Sequence, residues 1–594
     1  MSNETKIQGL GAIHHEGRVA FRVWAPHAQG VSVVGSFNNW DGDKHPMQAE
    51  ENGYWYADVS EAHIGDEYRF RLTTATDEFT RIDPYAREVT GSVGNAIVHD
   101  PSFDWEGDDF KLAPWNELVI YELHVGTFNE KDDNIPGKFA SVSARLGHLK
   151  KLGVNAIQIM PIAQFAGERS WGYNPAHIFS VELAYGGPLA FKQFVKRAHA
   201  QGLAVILDVV YNHLGPSDLD LWQFDGWSEN NLGGIYFYND GRANTPWGDT
   251  RPDYGRGEVR QYILDNAYMW LDEYRVDGLR FDGTVYIRTP HGPGSEDLPD
   301  GWSLLQALNT LVAQKFPGRI TIAEDLQNNK WLTKDVGSGG AGFGSQWDSN
   351  FVHPIRQAVI TPQDEQRSLA AIRDALGYRY NDDAFERVIY SESHDEVANG
   401  QARVPQEVNP KDPKGWYARK RSTLAAAMVF TAPGIPMLFQ GQEFLEGEWF
   451  RDTVPLDWDQ RDEFHGILRL YRDLIRLRLN RDGFTRGLCG QFTQVYHLHD
   501  ERKVIAYHRW DRGGPADDVV VVANFLHEAQ DGYTIGLPAA GAWKLRFNSD
   551  WQGYSDDFAS HPSTNLLAEP GEQDGLPFHA ALSIGPYSVL IFSQ

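Results

Sequence analysis

Three carboxylates, each closing a short apolar run, carry the chemistry this chain could do. They are Asp282 in Val-Asp-Gly-Leu-Arg-Phe-Asp, Glu324 in Ile-Thr-Ile-Ala-Glu, and Asp395 in Val-Ile-Tyr-Ser-Glu-Ser-His-Asp. A fourth, Asp208, ends Leu-Ala-Val-Ile-Leu-Asp and leads into Tyr211-Asn212-His213. An apolar run ending in an acid reads as a buried parallel strand that delivers a charge to its C-terminal edge. Arg280 lies two residues before Asp282, so on a strand the two side chains share a face and the guanidinium favours the ionised carboxylate. A glutamate at a closed apolar strand end, as at 324, is held protonated and can donate to a leaving oxygen. With His213 and His394 as donors to hydroxyl groups and Asp395 beside them, the set suits cleavage of glycosidic bonds. Each residue alone has a plainer reading: an Arg-x-Asp ion pair, a helix cap, a core histidine.

These acids need a scaffold that brings distant strands to one edge. Apolar strand candidates fall at 118–124, 154–160, 203–210, 276–282, 320–324, 344–348, 388–394 and 435–440, with amphipathic helices between them such as 188–201 and 257–274. Eight alternating units predict an α/β fold built on a closed (β/α)8 TIM barrel with its site at the C-terminal strand ends. On this reading the four acids lie on strands 3, 4, 5 and 7. Residues 1–105 carry alternating runs at 19–24, 31–35, 54–59 and 68–72 and predict an N-terminal β-sandwich. Residues 491–594 return to short strands at 504–509, 518–523 and 588–592 and predict a second, C-terminal β-sandwich. The barrel domain is assigned to 106–490. It contains a long insertion at about 211–253 whose Trp222, Trp227, Tyr236, Phe237, Tyr238 and Trp247 are expected to line the substrate cleft.

The 594 residues carry a formal charge of −27, which repels nucleic acid and anionic membranes, whereas a neutral polymer feels no such repulsion. No apolar run reaches spanning length, and Met1–Lys6 has neither the basic nor the apolar segment of a signal peptide. One cysteine, Cys489, excludes an internal disulfide and fits a reducing compartment, so the expected location is cytoplasmic. The His and Asp groups lack close ligand spacing such as His-Glu-x-x-His, so neither a metal nor a cofactor is expected. Oligomeric state has no sequence signal.

Taken together, Asp208-Val-Val-Tyr-Asn-His213, Gly278-Leu-Arg-Phe-Asp282, Ile322-Ala-Glu324 and Ser393-His-Asp395 resemble the four motifs of the α-amylase superfamily, glycoside hydrolase family 13. Trp171-Gly-Tyr-Asn-Pro175 and Gly434-Ile-Pro-Met-Leu-Phe-Gln-Gly-Gln-Glu443 extend the resemblance to nearly the whole chain. It implies Asp282 as nucleophile, Glu324 as acid/base and Asp395 as transition-state stabiliser. It also implies that Asp208, His213, Arg280, His394 and Tyr173 hold the attacked glucose, and Trp171 and Trp247 are added here as substrate-binding residues. The implied substrate is an α-glucan or maltooligosaccharide, cleaved with retention.

Gly35-Ser-Phe-Asn-Asn-Trp-Asp-Gly42 and Ser393-His-Asp-Glu-Val397 are similar to glycogen branching enzymes. Asp208–Pro216, Thr245-Pro-Trp-Gly248 and Ala323-Glu-Asp325 are similar to maltooligosyltrehalose trehalohydrolases. Val285 stands where the latter usually have His, and Gly283 where both usually have Ala. Three readings follow: a branching transferase that moves glucan to a 6-hydroxyl, a trehalohydrolase or amylase, and a non-catalytic glucan-binding scaffold.

Overall fold

The computed structural model describes residues 6–131 and 134–594; the leader expectation rested on residues that lie mostly outside these. Eight short parallel strands close into a barrel: β1 (Ile120–Leu123), β2 (Ala156–Ile159), β3 (Ala204–Val209), β4 (Gly278–Phe281), β5 (Ile320–Ala323), β6 (Ser345–Trp347), β7 (Arg387–Ile389) and β8 (Ile435–Phe439). The ring closes where Met437–Phe439 of β8 runs parallel to Ile120–Glu122 of β1. Each of the eight predicted strands is present, shortened to its hydrogen-bonded centre.

Alternation along the strands explains the core. Ile120, Ala156, Ala204, Ile206, Ile320, Ile322, Trp347, Val388, Ile435 and Met437 form one buried cluster inside the barrel. Their neighbours, among them Tyr121, Ile157, Val205, Leu279 and Ile389, belong to the larger cluster under the surrounding helices. Parallel strands buried on both faces must be apolar throughout, so a charge on an inward position is conspicuous. Glu122, Asp208 and Arg280 are such charges, and all are buried.

The N-terminal domain packs the sheet of Gly11–His15, Arg18–Trp24, Tyr54–Val59 and Gln48–Ala49 against that of Gly30–Gly35, Glu67–Thr73 and Glu78–Arg81. Their facing residues Val19, Phe21, Val33, Phe70 and Leu72 are buried. The C-terminal domain is one eight-stranded path folded into a sandwich, filled by Val520, Val522, Ile535, Trp543, Leu582 and Phe592. Residues on the other face of its strands, such as Val521 and Ile591, join the barrel's outer core with helix Trp416–Thr431.

Two expectations are corrected. The seventh strand ends at Ile389, so Asp395 sits in the loop after β7 and not on the strand. That loop is held by side chains: Glu392 accepts from the Val404 N–H at 2.6 Å, and Ser391 accepts from Gln442 at 2.8 Å. Of the six aromatic residues expected to line the cleft from the 211–253 insertion, only Trp247 lies beside the catalytic residues. Tyr236, Phe237 and Tyr238 are buried. Tyr236 meets Trp24 edge-on at 5.6 Å, and Trp227 stacks on His27 at 4.6 Å. The insertion is a wedge between the N-terminal sandwich and the barrel, and Trp247 alone of these six rings is exposed beside the catalytic residues. Apolar side chains with no helical period fit a core between domains as well as a cleft, which is why pattern alone misplaced them.

Candidate active site

The site is organised around one guanidinium. Arg280, on β4, is fully buried, and its Nη1 donates to both oxygens of Asp208 on β3 at 2.9 and 2.8 Å and to Asp282 Oδ1 at 2.9 Å. Its Nη2 lies 3.8 Å from Glu324 Oε2. The Trp347 ring lies under it at 4.3 Å. Burial works against the cation, but Asp208, Tyr173, Asp282 and Glu324 around it hold its pKa well above the ordinary value. Burial pushes Asp208 up, to about 7, against the pull of Arg280, with Asp282 adding to the rise. Tyr173 donates to Asp208 at 2.7 Å.

Asp282 and Glu324 stand one residue past β4 and β5, and each keeps 14% of its side chain exposed. Asp282 is fixed from two sides, by Arg280 and by Asn212 Nδ2, which donates to Asp282 Oδ2 at 2.7 Å and to its backbone oxygen at 2.8 Å. Glu324 accepts the Gly283 N–H at 2.6 Å. Burial raises the Glu324 carboxyl to about 8; the Asp282 and Asp395 charges push the same way and Arg280 opposes them. Two neighbouring acids thus have different settings: one held by charge-assisted hydrogen bonds, the other protonated at neutral pH.

Gly283 explains its own departure from the family pattern. Its φ is +49°, and a Cβ there would stand 2.6 Å from Asn212 Nδ2, the atom that holds Asp282. Glycine adopts this backbone without strain and leaves the space open.

His394 is fixed on its far side by Glu122 of β1. The ring Nδ1 is 2.7 Å from Glu122 Oε1, and the His394 backbone N–H donates to Oε2 at 3.1 Å. Its Nε2 lies 3.4 Å from Asp395 Oδ2. Burial favours the neutral ring, but Asp395 and Glu122 outweigh it and raise His394 to about 9. With carboxylates facing both nitrogens, the ring expected to donate to hydroxyl groups is held in its cationic form. His213, expected to donate to sugar hydroxyls, is lowered by burial and turns both ring nitrogens to protein oxygens, Nε2 to the Tyr173 carbonyl at 2.7 Å and Nδ1 to Asn212 Oδ1.

Tyr173 stacks on the His394 ring at 5.1 Å, and Trp171 meets it edge-on at 5.8 Å from a cluster with Phe450. Trp247, 41% exposed, stacks on His213 at 4.5 Å and presents an open face. All ten sequence-derived residues therefore lie in one connected constellation. Glu122, Asn212, Trp347 and the Gly283 N–H were missed. Glu122 had a signal, an acid inside the four-residue apolar strand Ile-Tyr-Glu-Leu, and Asn212 lies within the Asp208–His213 motif; Trp347 acts through packing and Gly283 through its backbone, which leave none. Among the described residues no group of three or more His, Cys, Asp or Glu is arranged to hold a metal ion, and no helix is long and apolar enough to cross a membrane.

Comparison with known proteins identifies the domains. Residues 9–86 match carbohydrate-binding module 48, the isoamylase N-terminal domain. Residues 122–244 and 220–458 match the alpha amylase catalytic domain, and residues 496–594 the alpha amylase C-terminal all-beta domain. The chain is 31% identical over 631 residues to the 1,4-alpha-glucan branching enzyme GlgB of Dechloromonas aromatica, covering 100% of this chain and 98% of that protein. It is 32% identical over 574 residues to GlgB of Nitrosomonas europaea, covering 89% and 74%. A pullulanase from Anoxybacillus sp. LM18-11, solved with maltotetraose, superposes with a TM-score of 0.75 at 22% identity over 99% of this chain and 88% of that one, a likeness of fold. The chain belongs to the α-amylase family, with an isoamylase-type carbohydrate-binding module before its catalytic barrel and an all-β domain after it.

Proposed function

We propose that this protein is a retaining 1,4-α-glucan branching enzyme. The observation that carries the chemistry is the contrast between Glu324, raised to about 8, and its neighbour Asp282, which Arg280 and Asn212 hold with hydrogen bonds. In the first step an Asp282 oxygen attacks the anomeric carbon of an α-1,4-linked glucose. The glycosidic C–O bond breaks, and the Glu324 proton passes to the departing oxygen. A glucosyl ester on Asp282 remains. In the second step Glu324, now a carboxylate, takes the proton of an acceptor 6-hydroxyl, whose oxygen attacks the same carbon and releases Asp282. His394 and Asp395 hold hydroxyls of the reacting sugar, while His213 backs the Trp247 ring that is offered to a neighbouring sugar.

The 6-hydroxyl as acceptor rests on relatives named 1,4-alpha-glucan branching enzyme that match most of the chain. A hydrolase, whether trehalohydrolase or amylase, uses the same residues with water as acceptor, and the Thr245–Gly248 segment that carries Trp247 favours that second reading. A scaffold without activity is disfavoured because all three acids are present. The proposal includes division of the chain at about 105 and 490, and a cytoplasmic location on the strength of its single cysteine. Incubation with amylose decides between the readings. Branching lowers iodine staining and creates α-1,6 linkages without new reducing ends in proportion; hydrolysis gives reducing ends and no branches, and release of trehalose from maltooligosyltrehalose marks the narrower hydrolase.

A further inference from the structure

A second groove lies between the barrel's last helix, His465–Arg478, and the loop 548–563 of the C-terminal sandwich, and encloses about 510 Å³. That volume falls within the range of ligand sites, roughly 300–1,000 Å³. It is remote from the catalytic centre. Arg478, at the end of the helix, donates to the carbonyl of Gly434 at 2.9 Å, just before β8 begins. The groove's Arg476 and Asp482 flank that helix end, so they sit toward the N-terminal edge of the barrel, whereas the catalytic acids stand at the C-terminal edge.

The groove's platform is Trp551, 45% exposed, with Tyr554 edge-on to it at 5.0 Å. Three features hold that ring in place. A Cβ at Gly553 would stand 2.5–2.6 Å from three ring carbons of Trp551, so the indole packs on the backbone of its own loop, with the Arg469 guanidinium over the ring at 5.9 Å. Tyr554 donates to Asp473 of the helix at 2.7 Å. The loop is locked to the neighbouring helix by Lys420 and Asp550, a fully buried pair at 2.6 Å. An exposed tryptophan on a loop clamped by a buried ion pair is a preorganised surface and loses little freedom on binding.

The polar rim sets the ligand's chemistry. Arg476 with Asp482 at 2.8 Å, Arg546, and the free oxygen of Asp473 present both donors and acceptors with no excess of either charge. A flat apolar face beside balanced polar groups suits a neutral polyhydroxylated ring, which has a C–H face and a hydroxyl edge. A chain of formal charge −27 disfavours polyanions.

We infer that the Trp551 groove is a second carbohydrate-binding site that takes an α-glucan chain away from the catalytic centre. The choice of α-glucan rests on the proposed function of the barrel. Holding the same polymer at two points raises the local concentration of chain ends at the active site.

The test is retardation of the full-length protein in native gels containing amylopectin, together with turnover of amylose. Trp551→Ala is expected to weaken retardation about tenfold, to raise the KM for amylose, and to leave kcat unchanged. Gly553→Ala, which keeps the indole but forces it off its seat, is expected to act in the same direction and guards against misfolding of the first variant. Equal retardation of both variants and the wild type overturns the inference. So does a change of oligomeric state on size exclusion with retardation intact. Loss of retardation in the variants of a protein that shows no turnover of any α-glucan leaves the groove assigned and removes the proposed function instead.

Discussion

Both oxygens of Glu122 are committed to His394, one to the ring Nδ1 at 2.7 Å and one to the backbone N–H at 3.1 Å. The first barrel strand thereby orients a residue on the loop after the seventh. A charge-assisted hydrogen bond is worth about 1.5–3 kcal/mol, so Glu122→Gln is expected to lower kcat/KM by about 10- to 100-fold. The groups that face the ring are Glu122, Asp395 and, as an opposing charge, Arg280. Removing the Glu122 charge lets burial pull His394 down, and the pH optimum moves to the acid side. The folded pKa of about 9 lies above the unfolded one, so this pairing stabilises the wild type fully below about pH 6.5 and is lost as pH rises through 9. Thermal melts and pH–rate profiles of both proteins check the two effects; an unshifted profile removes Glu122 from the machinery.

Glu324 has a linkage of the same sign, in a lower pH window. Its carboxyl is raised to about 8 from an ordinary 4.5, so the folded state holds a proton that the unfolded state releases between those values. Stability contributed by this group therefore falls as pH rises from 4.5 to 8. Glu324→Gln is expected to raise the melting temperature at pH 8 more than at pH 4.5, while turnover falls by at least about 10³-fold. In the wild type, kcat/KM declines above about pH 8 as the acid loses its proton. A variant melting below the wild type at pH 8 contradicts the assignment.

Gly283→Ala tests the tight fit behind the nucleophile. The new Cβ meets Asn212 Nδ2 at 2.6 Å on a backbone of φ +49°. Left-handed backbone and steric displacement together cost about 1–3 kcal/mol. Because Asn212 must give way, its hydrogen bond to Asp282 is loosened, and kcat should fall about tenfold or more with KM little changed. A variant with wild-type kcat and melting temperature shows that Asn212 relaxes without consequence.

The reach of the sequence follows the kind of signal each element leaves. The eight barrel strands were legible because strands buried on both faces must be apolar, and an inward charge such as Asp208 or Arg280 stands out against that background. Glu324 was legible for the same reason, and its raised pKa follows from the burial its neighbours imply. The charge on His394 was not, because Glu122 is more than 270 residues away and only the closed barrel brings them together. The role of Gly283 depends on where the Asn212 side chain lies. The wedge at 211–253 was misread because an aromatic-rich segment between two domains has the composition of a cleft and the contacts of a core.

That wedge carries the last prediction. Asp225 is fully buried and accepts both the backbone N–H of His27 and its ring Nδ1 at 2.9 Å, under the stack of His27 on Trp227. Arg81 donates to the carbonyls of Phe224 and Gln223 at 3.1 and 3.0 Å, and Arg69 pairs with Asp220 at 2.7 Å. Asp225→Ala removes the acceptor shared by the part-buried N–H groups of His27 and Trp227, at a cost of about 1–3 kcal/mol. The loss is confined to the junction of the N-terminal sandwich with the barrel, because no atom of Asp225 touches the catalytic acids. Limited proteolysis should therefore cut faster near the junction, and the melting temperature should fall, while kcat on amylose at 25 °C stays within about twofold of the wild type. Were the insertion a cleft lining, the same change would instead raise KM and leave the junction protected.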